Sequence, residues 1–166
     1  MLSNTRLPRS PSGWTMAVFG VLAAVLGVVG LVSPETTIRL MGLAPMSGTS
    51  RADDDHTLLF LTASSMAALN MGVYYVLAAL ADWKAFFRWT VPFRFLTFSV
   101  FTLAVLTGRA PSGFLGVGLW EGVGALATGL ALRYESRRAA RVRERHRARP
   151  DNAGEPAGAR VDVGDA

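Results

Sequence analysis

WTVPFRFLTFSVFTLAVLTGRAPSGFLGVGLWE, residues 89–121, decides the reading of this chain. It holds two apolar segments, 91–106 and the start of 114–132, joined by a turn rich in glycine and proline. Each segment carries one ionisable residue well inside it, Arg94 in the first and Glu121 in the second. A charge within a segment of bilayer length is expensive, so it marks a candidate functional site.

The rest of the sequence supplies the bilayer. Hydrophobic residues make up 51% of the 166 and charged residues only 17%, well below the roughly 25% of an ordinary soluble domain. The apolar residues fall into four long runs, 14–32, 57–80, 89–106 and 114–132, and each is long enough to cross a hydrocarbon layer. The expected fold class is therefore all-α, a transmembrane antiparallel four-helix bundle, with no room for a separate soluble domain. The first run is read as a retained span, because it is longer than a signal h-region. Residues 1–13 read as disordered. Ser33-Pro34-Glu35 signals a short surface helix near 34–41, with Ser33 as its N-cap.

Small residues predict how the spans pack. Gly20 and Ala24, Ala23 and Gly27, then Ser64, Ala68 and Gly72, then Gly118 and Gly122 all recur at four-residue spacing. Pro92 falls in the first turn of a helix beginning near Trp89, where proline is tolerated.

Several chemistries are excluded or weak. There is no cysteine, hence no disulfide, thiolate metal site or cysteine nucleophile. His56 and His146 both lie outside the apolar runs, so two histidines cannot hold a haem within the bundle. Asp53, Asp54 and Asp55 lack the spacing of a calcium loop and read as a solvated flank at a helix start. No metal site and no catalytic residue is expected.

Residues 134–149 continue as a basic helix. Arg133, Arg137, Arg141, Arg145 and Arg149 recur every fourth residue, with Arg138 beside them. Such a cluster just past a span reads as a contact with anionic lipid headgroups. No aromatic residue past Tyr134 offers base stacking, so nucleic acid is not expected. Residues 150–166 read as a disordered tail. Four spans place both termini on one side, together with Arg6, Arg9, Lys84, Arg88 and this basic segment. The excess of Lys and Arg makes that side cytoplasmic, in a cytoplasmic (inner) membrane.

With the third span starting at Trp89, Arg94 lies ~7–8 Å in from the cytoplasmic side, and Asn70 lies ~15 Å in. Glu121 lies ~12 Å in from the other side, near the level of Asn70. Asn70, Tyr74, Arg94 and Glu121 form the candidate buried polar site. Helical side chains lean towards their own N-termini, which tilts Arg94 and Glu121 apart. Three arrangements stay open: Arg94 snorkelling to the headgroups, a direct pair, or a site bridged by water or ligand.

The order of these features resembles the DoxX-like group of small four-helix membrane proteins. The residues that carry the resemblance are GVYYVLAALADWKAF at 72–86, the GRAP turn at 108–111 and GLWEGVGAL at 118–126, within a similarity covering roughly 14–133. It implies an antiparallel four-helix bundle, with Arg94 and Glu121 where relatives often carry a basic and an acidic residue. It further implies a link, in some members, to quinone-dependent thiosulfate oxidation or redox-stress complexes. Three functions follow as expectations. The first is an accessory or interaction protein, with a membrane partner or a second copy. Next comes a quinone- or lipid-linked oxidoreductase subunit, with Tyr74, Tyr75, Arg94 and Glu121 around the ring. The last is a small-molecule or proton-coupled carrier using Glu121, disfavoured by the lack of an internal repeat.

Overall fold

The computed structural model describes residues 7–43 and 55–147. The fold is all-α. Its helices are α1 (Pro11–Val32), α2 (Pro34–Leu40), α3 (Thr57–Leu80), α4 (Lys84–Leu106) and α5 (Phe114–Arg147). α1, α3, α4 and α5 are each long and apolar enough to cross a membrane, so this is a multi-pass membrane protein by helix length and composition. Asp53, Asp54, Arg149 and the 150–166 tail lie outside the described residues.

α1 runs along α3, and α4 runs along α5, with α1 also touching α5. Lipid offers no hydrophobic drive between helices, so association rests on close van der Waals fit. The α1/α3 seam shows it. A Cβ on Gly20 would lie 2.8 Å from the Gly72 carbonyl oxygen, and one on Gly27 would lie 2.8 Å from the Ser65 carbonyl oxygen. The Gly20 and Ala24 spacing thus marks a true contact. The stripe on α3 is displaced from its expected line, because Ser64 is exposed and the buried residues include Leu61, Ser65 and Gly72. On α5, Gly118 and Gly122 face Phe98 and Phe101 of α4.

Three turns end helices in the same way. At Gly42, Gly108 and Asp82 the backbone is left-handed, with φ of 70°, 70° and 49°. In each, the following amide reaches back to a carbonyl of the last helical turn, as Trp83 does to Ala78 at 3.0 Å. This six-to-one closure needs positive φ, which glycine adopts freely and an Asp tolerates. The closure at Asp82 is tight enough that α4 begins at Lys84, five residues before the expected Trp89. Pro92 accordingly sits inside the helix and not in its first turn, leaving the Arg88 carbonyl without its usual amide donor.

α1 also starts early. Ser10 caps it by accepting a hydrogen bond from the Gly13 amide at 3.1 Å, and Pro11 takes the first helical position. Residues 11–13 are therefore helical, where the sequence reading extended the disordered segment to residue 13. Ser33 precedes α2, but its hydroxyl pairs with that of Thr36 at 2.7 Å and does not cap the backbone. Ile38 is the residue α2 buries.

The basic end of the bundle is closed by a polar clasp. Lys84 Nζ lies 2.7 Å from Glu135 Oε2, 3.1 Å from Asp82 Oδ1 and 2.8 Å from Ser12 Oγ, three acceptors for three ammonium protons. The Ser12 amide donates to Glu135 Oε1 at 2.8 Å, and the Ser10 hydroxyl donates to Asp82. The clasp therefore joins the start of α1, the α3–α4 turn and the C-terminal part of α5 at one end. Burial alone would raise both carboxyls. The hydrogen bonds from Ser10 and Lys84 outweigh it at Asp82, and those from Lys84 and Ser12 outweigh it at Glu135, so both are held below their ordinary values of 3.8 and 4.5.

A depressed folded value contributes stability that is complete above the ordinary value and is lost as pH falls through the lowered one. The melting temperature of the chain in detergent is therefore expected to be flat from neutrality down to about 4.5 and to drop below it. Lys84→Gln removes the shared cation and should flatten the acid limb. An unchanged acid limb in Lys84→Gln would show that the clasp is not its origin.

Candidate functional site

The early start of α4 sets the distance of Arg94 from the clasp. Ten residues into its helix, its Cα lies ~15 Å from the Lys84 level. On antiparallel α5, Glu121 comes fourteen residues before Glu135, which marks the same clasp level. Its Cα is therefore ~21 Å up, within reach of a long guanidinium. The two meet directly, with Arg94 Nε 3.0 Å from Glu121 Oε2. Of the three open arrangements, the direct pair is the one formed, and snorkelling is not seen.

The surroundings of the pair explain why Arg94 does not turn towards the headgroups. Its guanidinium carbon lies 3.3 Å from the centroid of the Phe19 ring, a cation–π contact supplied by α1. Phe19 in turn stacks on Trp120 at 4.9 Å and tilts against Tyr75 at 5.6 Å. Gly124, one turn after Glu121 on the same face, leaves the space the guanidinium fills; a Cβ there would collide with Arg94 Nη2. Arg94 is only 3% exposed as a result. Its Nε is satisfied by Glu121, whereas Nη1 and Nη2 are buried without acceptors among the described residues.

Two of the four expected site residues do not join. Asn70 is exposed, and Tyr74 is 56% exposed against 7% for its neighbour Tyr75. The buried face of α3 is set by Gly72, Tyr75 and Ala79, and one residue of offset turns Tyr74 about 100° away from it. Asn70, two residues before Gly72, is turned about 200° from the seam. The aromatic and glycine partners, Phe19, Tyr75, Trp120 and Gly124, complete the site. Gly124 stands three residues from Glu121, a helical spacing visible in the sequence; Phe19 carries no polar signal at all.

A groove of about 370 Å³ runs between α1 and α5, lined by residues that include Trp14, Val18, Phe19, Trp120 and Gly124. It is apolar, and neither Arg94 nor Glu121 lines it. The basic residues predicted as a lipid contact are placed by α5, which passes unbroken from the span to Arg147. Arg133, Arg137, Arg138, Arg141 and Arg145 are all exposed. No family model, curated protein or solved structure matches the chain.

Proposed function

We propose that this chain is a membrane accessory or interaction protein, without chemistry of its own, in which the Arg94–Glu121 pair ties the α4/α5 hairpin against α1. The observation that supports this reading best is the way the pair is held. Arg94 is buried, its Nε meets Glu121 and its guanidinium lies on the Phe19 ring, and neither residue of the pair lines the groove. A carrier or a redox subunit needs its polar groups to meet cargo. The apolar face of α4 is free for a neighbour, with Phe93, Leu96, Val100 and Leu103 exposed along one stripe. The basic end faces the cytoplasm of an inner membrane on the positive-inside rule, with both termini there and Arg133, Arg137 and Arg138 at the level of anionic headgroups. The DoxX-like resemblance agrees with a small subunit of a larger complex.

A second reading has one observation in its favour. The α1/α5 groove adjoins Gly124 and Phe19, behind which lie the two unpartnered Nη groups of Arg94. A quinone or lipid in that groove would make the chain a quinone- or lipid-linked oxidoreductase subunit. Purification of the full chain under mild detergent, with crosslinking mass spectrometry and an absorbance scan of its extracted lipids, separates the two. The expected result is a partner or second copy at fixed stoichiometry, crosslinked along the exposed face of α4. Stoichiometric quinone on the isolated chain would overturn the accessory reading.

A further inference from the structure

α5 is one helix from Phe114 to Arg147, with no proline or glycine after Gly129 to bend it. An arginine-rich segment on a separate helix can lie flat on a membrane. One that continues a span points away from it. From Leu132, where the apolar run ends, Arg141 lies ~13 Å out, Arg145 ~20 Å and Arg147 ~22 Å. The headgroup layer is only ~5–8 Å deep on each side, and the Debye length is ~8 Å. Anionic lipid therefore reaches Arg133, Arg137 and Arg138 and, at the limit of its screened field, Arg141, whereas Arg145 and Arg147 lie beyond it.

Part of this charge forms one stripe along the helix. Glu135, held by Lys84 and Ser12, marks the side of α5 that faces the bundle. Arg137, Arg141 and Arg145 advance by about 40° per four residues, and Arg138 falls on their flank at about 20° from Arg145. Together they cover a sector of about 100° centred about 110° from Glu135, with Arg143 and Arg147 on the opposite flank. All are exposed, and like charges four residues apart repel one another unless something neutralises them.

From this placement we infer that the distal part of α5 is a docking surface for an acidic helical segment of a soluble protein, carrying carboxylates at four-residue spacing. The inference rests on the interaction-protein reading and names the chemistry of the partner. Arginine forks match carboxylates two-pronged, and the ~6 Å step between successive arginines equals that between carboxylates on a facing helix. Phosphate would also suit the forks, but the segment past Tyr134 has no Phe, Tyr or Trp on which a base could stack.

The test uses the full chain in nanodiscs of phosphatidylcholine, with and without phosphatidylglycerol. The probes are a synthetic helical peptide with Glu at every fourth position, a peptide of the same composition with its glutamates shuffled, and a single-stranded RNA of equal charge. The in-register peptide should bind at least ~10-fold tighter than the other two, in both kinds of disc. The double variant Arg141→Ala/Arg145→Ala should lose at least ~10-fold, with helicity kept because alanine favours the helix. Equal binding of the shuffled peptide, tighter binding of the RNA, or loss of peptide binding in phosphatidylglycerol discs would each overturn the inference. Those outcomes leave the Arg94–Glu121 pair untouched. Stoichiometric quinone would defeat the accessory reading without altering the peptide measurement.

Discussion

Glu121→Ala lowers the unfolding free energy of the bundle by ~3–5 kcal/mol, the expected cost of stranding one member of a buried ion pair. Arg94 then has no counter-charge for Nε, and its Nη groups already lack acceptors among the described residues. It cannot escape cheaply, because Phe19 covers one face and α5 lies against it at Gly124. The double variant Arg94→Met/Glu121→Leu removes both charges and fills similar volume. It should be much less destabilised than Glu121→Ala alone, because replacing a buried pair with apolar residues is often neutral or better. Titration from mild detergent into dodecyl sulfate, followed by circular dichroism, gives both values. Additive losses in the double variant would mean that the residues do not act as a pair.

The second large effect is expected at Gly72, where α1 and α3 approach backbone to backbone. A Cβ there would lie 2.6 Å from the Gly20 carbonyl oxygen and 2.8 Å from Ala24 Cα. Main-chain atoms cannot swing aside as a side-chain end can, so the helices must part along the seam. Gly72→Ala should cost ~1–3 kcal/mol, the range for overpacking, and Gly72→Leu more. Gly116 is the control, because a Cβ there meets nothing within 4 Å. Gly116→Ala should be neutral or stabilising, since alanine favours a helix by ~0.5–1 kcal/mol over glycine. Equal stability of the Gly72→Ala and Gly116→Ala proteins would rule out the close seam.

The four spans were legible because hydropathy and length alone define them, and nothing in their packing is needed to see them. The start of α4 was not. Lys84 and Arg88 look like loop residues, yet a helix can carry charges at its end when a clasp such as Asp82 and Glu135 receives them. Counting from Trp89 placed Arg94 five residues into its helix, where it stands ten residues after Lys84, and made snorkelling look natural. Arg94 and Glu121 stood out because charge is rare at such depth. Asn70 and Tyr74 stood out for their polarity too, but the facing of α3 is decided by Gly72 and Ser65, which fit against α1. Phe19 enters the site from the far end of the sequence, and only the three-dimensional arrangement brings its ring over the guanidinium. The N-terminal start was written in Ser10-Pro11, a cap and first-turn pair, and the polar character around it masked that signal.

The unbroken course of α5 has a mechanical consequence. Two grips hold it, Arg94 on Glu121 and Lys84 on Glu135, ~21 Å apart along its axis. A shaft gripped at two heights can neither spin nor slide without releasing one of them. The compass bearing of its outer arginines is therefore geared to the interior of the bundle, and any tilt imposed at the tip is felt as leverage at the Arg94–Glu121 grip.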